Sequence, residues 1–181
     1  MKMDVTRITR RAHTPELTEI ANGLMELTQE TIATVRKISE ELRPSVLDHL
    51  GLAAAIDREL ADFSQRYGVK TQCETNHMPT RMPSRRVTGI YRIFQEALTN
   101  IARHSGATHV HVQLDCDEAE FHMEIADNGS GFNPAAAHGN SMGILSMRQR
   151  ASELGGALAL VPGAAGGMRV QLVVPLVGET G

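Results

Sequence analysis

A chain of 181 residues, 41% of them hydrophobic, can bury one sizeable core with a smaller appendage and not two large domains. Its formal charge of -3, with a pI near 6.2, gives no electrostatic footprint for duplex DNA or an anionic membrane, although Arg81, Arg85 and Arg86 form a local basic cluster. Cys73 and Cys116 lie far apart without metal-ligand spacing, no apolar run approaches the roughly 20 residues of a membrane helix, and the start MKMDVTRITRRAH lacks the apolar core of a signal peptide. Free thiols in a reducing, cytoplasmic compartment are expected, with any membrane sensor outside these residues.

Met1, Val5, Ile8 and Ala12 begin a helical spacing, and Thr14-Pro15-Glu16 supplies a cap, a first-turn proline and an acid near the positive helix end. Leu17, Ile20, Leu24, Leu27, Thr31, Val35, Ile38 and Leu42 then alternate steps of three and four, the seam of a helix that needs a partner. Two antiparallel helices are expected, the first cut short. Pro44 ends the second, and Asp48 is positioned to cap a new helix running to about Tyr67, closed by Gly68.

Beyond this point the pattern becomes α/β in type. A short strand is expected over Val69 to Glu74, a long helix over Ser84 to His104, and a strand over Thr108 to Leu114, where Val110, Val112 and Leu114 alternate with polar residues. Phe121, Met123 and Ile125 alternate again, which predicts an antiparallel hairpin. A Gly/Ala/Asn/His-rich stretch, Asn128 to Ser141, precedes a helix over Gly143 to Leu154 and strands near Ala157 to Val161 and Met168 to Val174. A mixed sheet with helices on one face follows.

Three clusters carry chemistry. Along the helix, Glu96, Asn100, Arg103 and His104 fall at steps of four, three and one, which puts those polar groups on one face, while Ile93, Ala97, Leu98 and Ile101 serve the core. A solvated helix face accounts for that spacing equally well. A mid-helix Asn nevertheless offers a neutral oxygen that suits Mg²⁺ when phosphates supply the negative charge, and Arg103 and His104 suit phosphate oxygens. In ADNGSGF, a strand delivers Asp127 and turns through Asn128, Gly129 and Gly131; an ordinary turn has the same composition. The functional alternative is that Asp127, in a mostly apolar pocket, accepts from an exocyclic amine while the glycines admit a flat base. In HGNSMGILSMRQRASELGG, Gly139 and Gly143 precede a helix whose exposed N–H groups favour anions, after a stretch long enough to be a lid or plain disorder.

Jointly and in this order, the clusters resemble the N, G1 and G2 boxes of the GHKL (Bergerat-fold) ATPases, specifically histidine kinases. YRIFQEALTNIARHSGAT and MGILSMRQRASELGG resemble the subfamily of nitrate/nitrite sensors and DesK-type thermosensors, and VRKISEELRPSVLDHLGLAAAI is similar to the end of its dimerisation hairpin. The resemblance implies an α+β Bergerat sandwich, with residues 1–47 the later part of a helical hairpin and 48–181 the ATP-binding domain. It implies ATP and Mg²⁺ as ligands, Asn100 chelating the metal, Glu96 polarising the metal or reacting groups, and Arg103 and His104 on phosphate. It implies that Asp127 binds adenine N6, with Gly129, Gly131, Gly139 and Gly143 shaping the pocket. Met168 stands where many relatives carry Thr beside the adenine. Phosphoryl transfer to a hairpin His and then to a response regulator, of the kind bearing a helix-turn-helix output domain, is implied, as is a homodimer in the full-length protein, without direct nucleic-acid contact. No His here is followed by an acidic residue, as the acceptor would be; His13 and His49 read as surface or packing residues, so the chain is expected to bind ATP without autophosphorylating. The alternatives are a nucleotide-binding pseudokinase and another GHKL member, either an anti-sigma-like serine kinase or a gyrase-like ATPase.

Overall fold

The computed structural model describes residues 23, 24, 26, 28, 45–79, 82–131, 141–163 and 166–176. Contacts divide the chain into two units, 1–45 and 46–181. In the first, Gly23, Leu24, Glu26 and Thr28 are helical, and Thr28 Oγ1 donates to the Leu24 carbonyl at 2.7 Å. Apart from Leu24, the expected seam, the preceding stretch from Met1 and the Pro44 stop lie outside the described residues.

In the second unit, helix α1 (Ser45–Tyr67) buries Leu52, Ala55, Ile56, Leu60 and Phe63, the 3.6-residue stripe of a helix lying on a core. Its start corrects the expectation that Asp48 caps it. The chain is already helical from Ser45, and the interruption falls at Gly51, whose φ of 80° and ψ of 178° suit only a residue without a β-carbon. The other end is as expected, with the Gly68 N–H donating to the Ser64 carbonyl at 2.9 Å.

Strand β1 (Lys70–Thr75) leads through residues 76–79 and 82–83 to helix α2 (Ser84–Asn100), which buries Ile90, Tyr91, Ile93, Phe94, Ala97 and Leu98. Where the sequence predicts one continuous helix to His104, the winding widens at Ile101–Ser105 into a π-helical turn that stops at Gly106. Such turns insert an extra residue into the ladder, so spacing counted at 3.6 residues per turn does not carry across from Asn100 to Arg103 and His104.

The hairpin forms as predicted. Strands β2 (His109–Cys116) and β3 (Glu120–Asp127) pair antiparallel, and every second side chain from Val110 and Phe121 onward is buried. Asp117 Oδ1 closes the turn by accepting from Ala119 N–H at 2.8 Å and Glu120 N–H at 2.7 Å, which holds its carboxyl below the usual range. Helix α3 (Ser141–Glu153) and strands β4 (Ala157–Pro162) and β5 (Met168–Pro175) complete the unit.

The sheet order is β1-β2-β3-β5-β4, with β1 and β2 parallel and every other pair antiparallel. A parallel pair needs a long crossover, and α2 provides it. Val112, Leu114, Phe121, Met123, Ile125, Leu172 and Val174 on one sheet face share a core with Ile56, Ile90, Phe94, Met147 and Ala151 from the three helices. The alternate residues form a polar outer face, where Gln113 donates to Glu74 and Gln171 to Glu124. The result is the Bergerat-type α+β sandwich, two layers with its helices on one side.

Candidate functional site

Asp127 ends β3 and is 9% exposed. Its Oδ1 accepts from the Gly129 N–H at 2.8 Å and its Oδ2 from the Met168 N–H at 3.3 Å, so the carboxylate ties the turn after β3 to the first residue of β5. Each oxygen has a second lone pair, which leaves acceptor capacity for a ligand donor. Gly167 is pressed against the same residue: a β-carbon there would stand 1.9 Å from the Asp127 carbonyl oxygen and 2.9 Å from Oδ1. On the other side, a β-carbon at Gly129 would come within 2.2 Å of the Ser105 carbonyl oxygen, and one at Gly131 within 3.1 Å of the Gly167 carbonyl oxygen. Asn128 adds an anchor, its Oδ1 accepting from the N–H groups of Thr108 and His109, both at 2.9 Å. The Asp-Asn-Gly segment is therefore more than a reversal of direction. Two side chains in it are committed to neighbouring backbone, and its glycines sit where side chains would collide.

The second group lies where α2 meets the head of α3. A β-carbon at Gly143 would fall 2.3 Å from Glu96 Oε1 and 3.6 Å from Asn100 Nδ2, so a carboxylate, an amide and a helix N-terminus converge. A carboxylate and an amide oxygen are hard donors suited to Mg²⁺, which keeps most of its remaining positions for water or phosphate. Among the described residues no three His, Cys, Asp or Glu side chains cluster as a metal site. Beside Glu96 opens a groove of about 330 Å³ lined by Arg92, Gln95, Glu96, Thr99, Ser146 and Arg150. Arg150 Nη1 donates to Ser146 Oγ at 2.5 Å across one turn of α3.

Chain connectivity links the two groups. Asn100 is the last residue of α2, and the π-helical turn carries the chain from it to Ser105, whose carbonyl meets the Asp127 turn. Arg103 and His104 are exposed on that turn. Gly139, with residues 132–140, lies outside the described residues. Ser105, Asn128 and Gly167 were not legible as site residues: Ser105 resembles a surface polar residue near a helix end, and Gly167 one of several glycines in a loop.

Residues 86–178 match the family described as Histidine kinase-, DNA gyrase B-, and HSP90-like ATPase. Sensor histidine kinase MctS of Rhizobium johnstonii is 32% identical over 145 residues, covering 78% of this chain and 32% of that protein. Signal transduction histidine-protein kinase/phosphatase DegS of Brevibacillus brevis is 29% identical over 156 residues, covering 86% of this chain and 40% of that protein. The chain thus spans well under half the length of these curated relatives. Among solved structures, the ATP-binding domain of PrrB from Mycobacterium tuberculosis matches with a TM-score of 0.54 at 23% identity, over 70% of this chain and 94% of that one. The histidine kinase domain of the blue-light-activated kinase EL346 from Erythrobacter litoralis matches with a TM-score of 0.61 at 17% identity, over 97% and 92%. At those identities the likeness is one of fold.

Proposed function

The chain belongs to the histidine kinase-, DNA gyrase B- and HSP90-like ATPase family, and we propose that within it this is the ATP-binding catalytic part of a two-component sensor kinase of the nitrate-sensor and DesK-like branch. The observation that supports this best is the pairing of a buried, doubly hydrogen-bonded carboxylate at Asp127 with a carboxylate and amide, Glu96 and Asn100, on the helix that leads to the Asp127 turn.

In this reading residues 1–47 belong to a dimerisation hairpin and 48–181 to the nucleotide-binding domain. Asp127 accepts a hydrogen bond from the adenine N6 amine. Guanine presents an acceptor at the corresponding position, so a carboxylate there rejects it, since two acceptors facing each other lose a bond and leave a buried group unpaired. Gly129 and Gly131 let the base approach the backbone, and Met168 borders it. Asn100 supplies an amide oxygen and Glu96 a carboxylate at the phosphate end, with Gly143, Gly139, Arg103 and His104 offering donors to phosphate oxygens. When bound, Mg²⁺ would offset the charge developing on the transferred phosphoryl group. The acceptor is a His on the dimerisation hairpin of a homodimer, and the phosphoryl group passes on to an aspartate of a cytoplasmic response regulator.

Titration with ATP and Mg²⁺ tests this assignment. Asp127→Asn places an NH₂ group against either the Gly129 or the Met168 N–H and leaves one uncharged acceptor oxygen where the carboxylate has two, so binding is expected to be abolished or greatly weakened. Unchanged affinity would refute the placement of the base.

A further inference from the structure

We propose that Ser105 is a positioning residue that holds the Asp127 turn in register with Asn100, and so fixes the spacing between the two ends of the nucleotide site. The inference rests on the nucleotide reading above, and its basis is a set of bonds around one buried side chain. Ser105 closes the π-helical turn and is 9% exposed. Its hydroxyl donates to the Ile101 carbonyl at 3.0 Å and accepts from the Ala107 N–H at 3.0 Å, across Gly106, whose φ of 60° ends the helix. Both bonds fix the orientation of the Ser105 peptide.

Because the chain leaves the helix at Gly106, the Ser105 carbonyl is not used by a further helical turn. It accepts instead from the Ser130 N–H at 2.8 Å, and it is the oxygen that a β-carbon at Gly129 would strike. Gly129 and Ser130 lie two and three residues beyond Asp127, which carries the adenine contact in that reading, and the Gly129 N–H is itself bonded to Asp127 Oδ1. One hydroxyl therefore sets the direction of one carbonyl, and that carbonyl sets the height of the Asp127 turn above the helix. Ser105 stands five residues beyond Asn100, at the far end of the π-helical turn that begins where α2 ends.

A ligand that touches both ends gains affinity from their fixed separation, whereas one that touches a single end does not. Adenosine reaches only the Asp127 end and ATP with Mg²⁺ reaches both. Both are titrated against wild type, Ser105→Ala and Ser105→Thr well below their melting temperatures. For Ser105→Ala the ATP affinity is expected to fall about tenfold and that for adenosine less than about twofold, while Ser105→Thr, which keeps the hydroxyl, restores the ATP value. Destabilisation alone would not change the ratio of the two affinities in the folded protein. Should Ser105→Ala fail to fold, Ser105→Cys, with a weaker donor in the same place, is expected to give a smaller loss in the same ratio. An unchanged ratio in a folded variant overturns the role of Ser105 while leaving the nucleotide reading intact; a wild-type chain that binds neither ligand overturns that reading and this inference with it.

Discussion

Asp127 and Gly167 are in closer contact than any pair with two side chains allows: the place a β-carbon would occupy on Gly167 lies 1.9 Å from the Asp127 carbonyl oxygen. Gly167 also has a φ of 74°, a conformation that costs a residue with a side chain additional energy. Gly167→Ala is therefore expected to push β5 away from the end of β3 and move the carboxylate that Met168 helps to hold. A loss of about 2 kcal/mol or more in stability is expected, with a parallel loss of ATP affinity. Denaturant melts and nucleotide titration check it, and a variant as stable and as tight-binding as wild type would show that the strands tolerate the displacement.

Gly143→Ala makes a different prediction. The atom its β-carbon would meet at 2.3 Å is the far end of a Glu96 side chain, which can swing aside, so the melting temperature should change little. Glu96 would then leave its place beside Asn100. With a hairpin bearing the acceptor His supplied and labelled ATP, formation of acid-labile phosphohistidine is expected to fall by about 100-fold, while adenosine binding stays near wild type. Equal loss of both would mean that Gly143 serves the adenine end.

The Tyr91 hydroxyl donates to Glu59 Oε2 at 2.8 Å, joining α1 to α2. Tyr91→Phe removes one hydrogen bond to a charged group that water can partly replace, a loss of about 1 kcal/mol. ATP affinity should be unaffected. Altered affinity at unchanged stability would place this helix contact inside the functional machinery.

Burial, the largest influence on it, pushes the Cys73 thiol from 9.0 up to about 11. The folded protein thus keeps a proton that the unfolded chain releases earlier. The sign follows: stability from this group is present in full below about pH 9 and is lost as pH rises toward 11. Tyr91, also raised chiefly by burial, acts in the same direction at higher pH. Melting temperatures from pH 8 to 11 should fall, and Cys73→Ala should flatten the lower part of the decline; identical slopes in the two proteins would contradict the assignment.

How far the sequence alone reveals this protein depends on the range of the interaction involved. Alternation of Val110, Val112 and Leu114 and of Phe121, Met123 and Ile125 is a local consequence of strand pleating, and it located the hairpin correctly. The apolar period of α2 was equally clear. Asp48 misled because a good capping residue was available, while the actual break at Gly51 depends on how the chain meets the core. The widened turn at Ile101–Ser105 leaves no mark on composition, since IARHS suits an ordinary helix. Gly129 was legible as a turn residue, but its need to lie flat against Ser105 comes from a residue 24 positions earlier. Contacts between distant segments, rather than propensity, decide such places.

The most direct measurement is a crystal structure of this chain with Mg²⁺ and a non-hydrolysable ATP analogue. The adenine amine is expected within hydrogen-bond distance of the Asp127 carboxylate, and the metal ligated by the Asn100 side-chain oxygen. A nucleotide bound with its base elsewhere, or a metal remote from Asn100, would contradict the account.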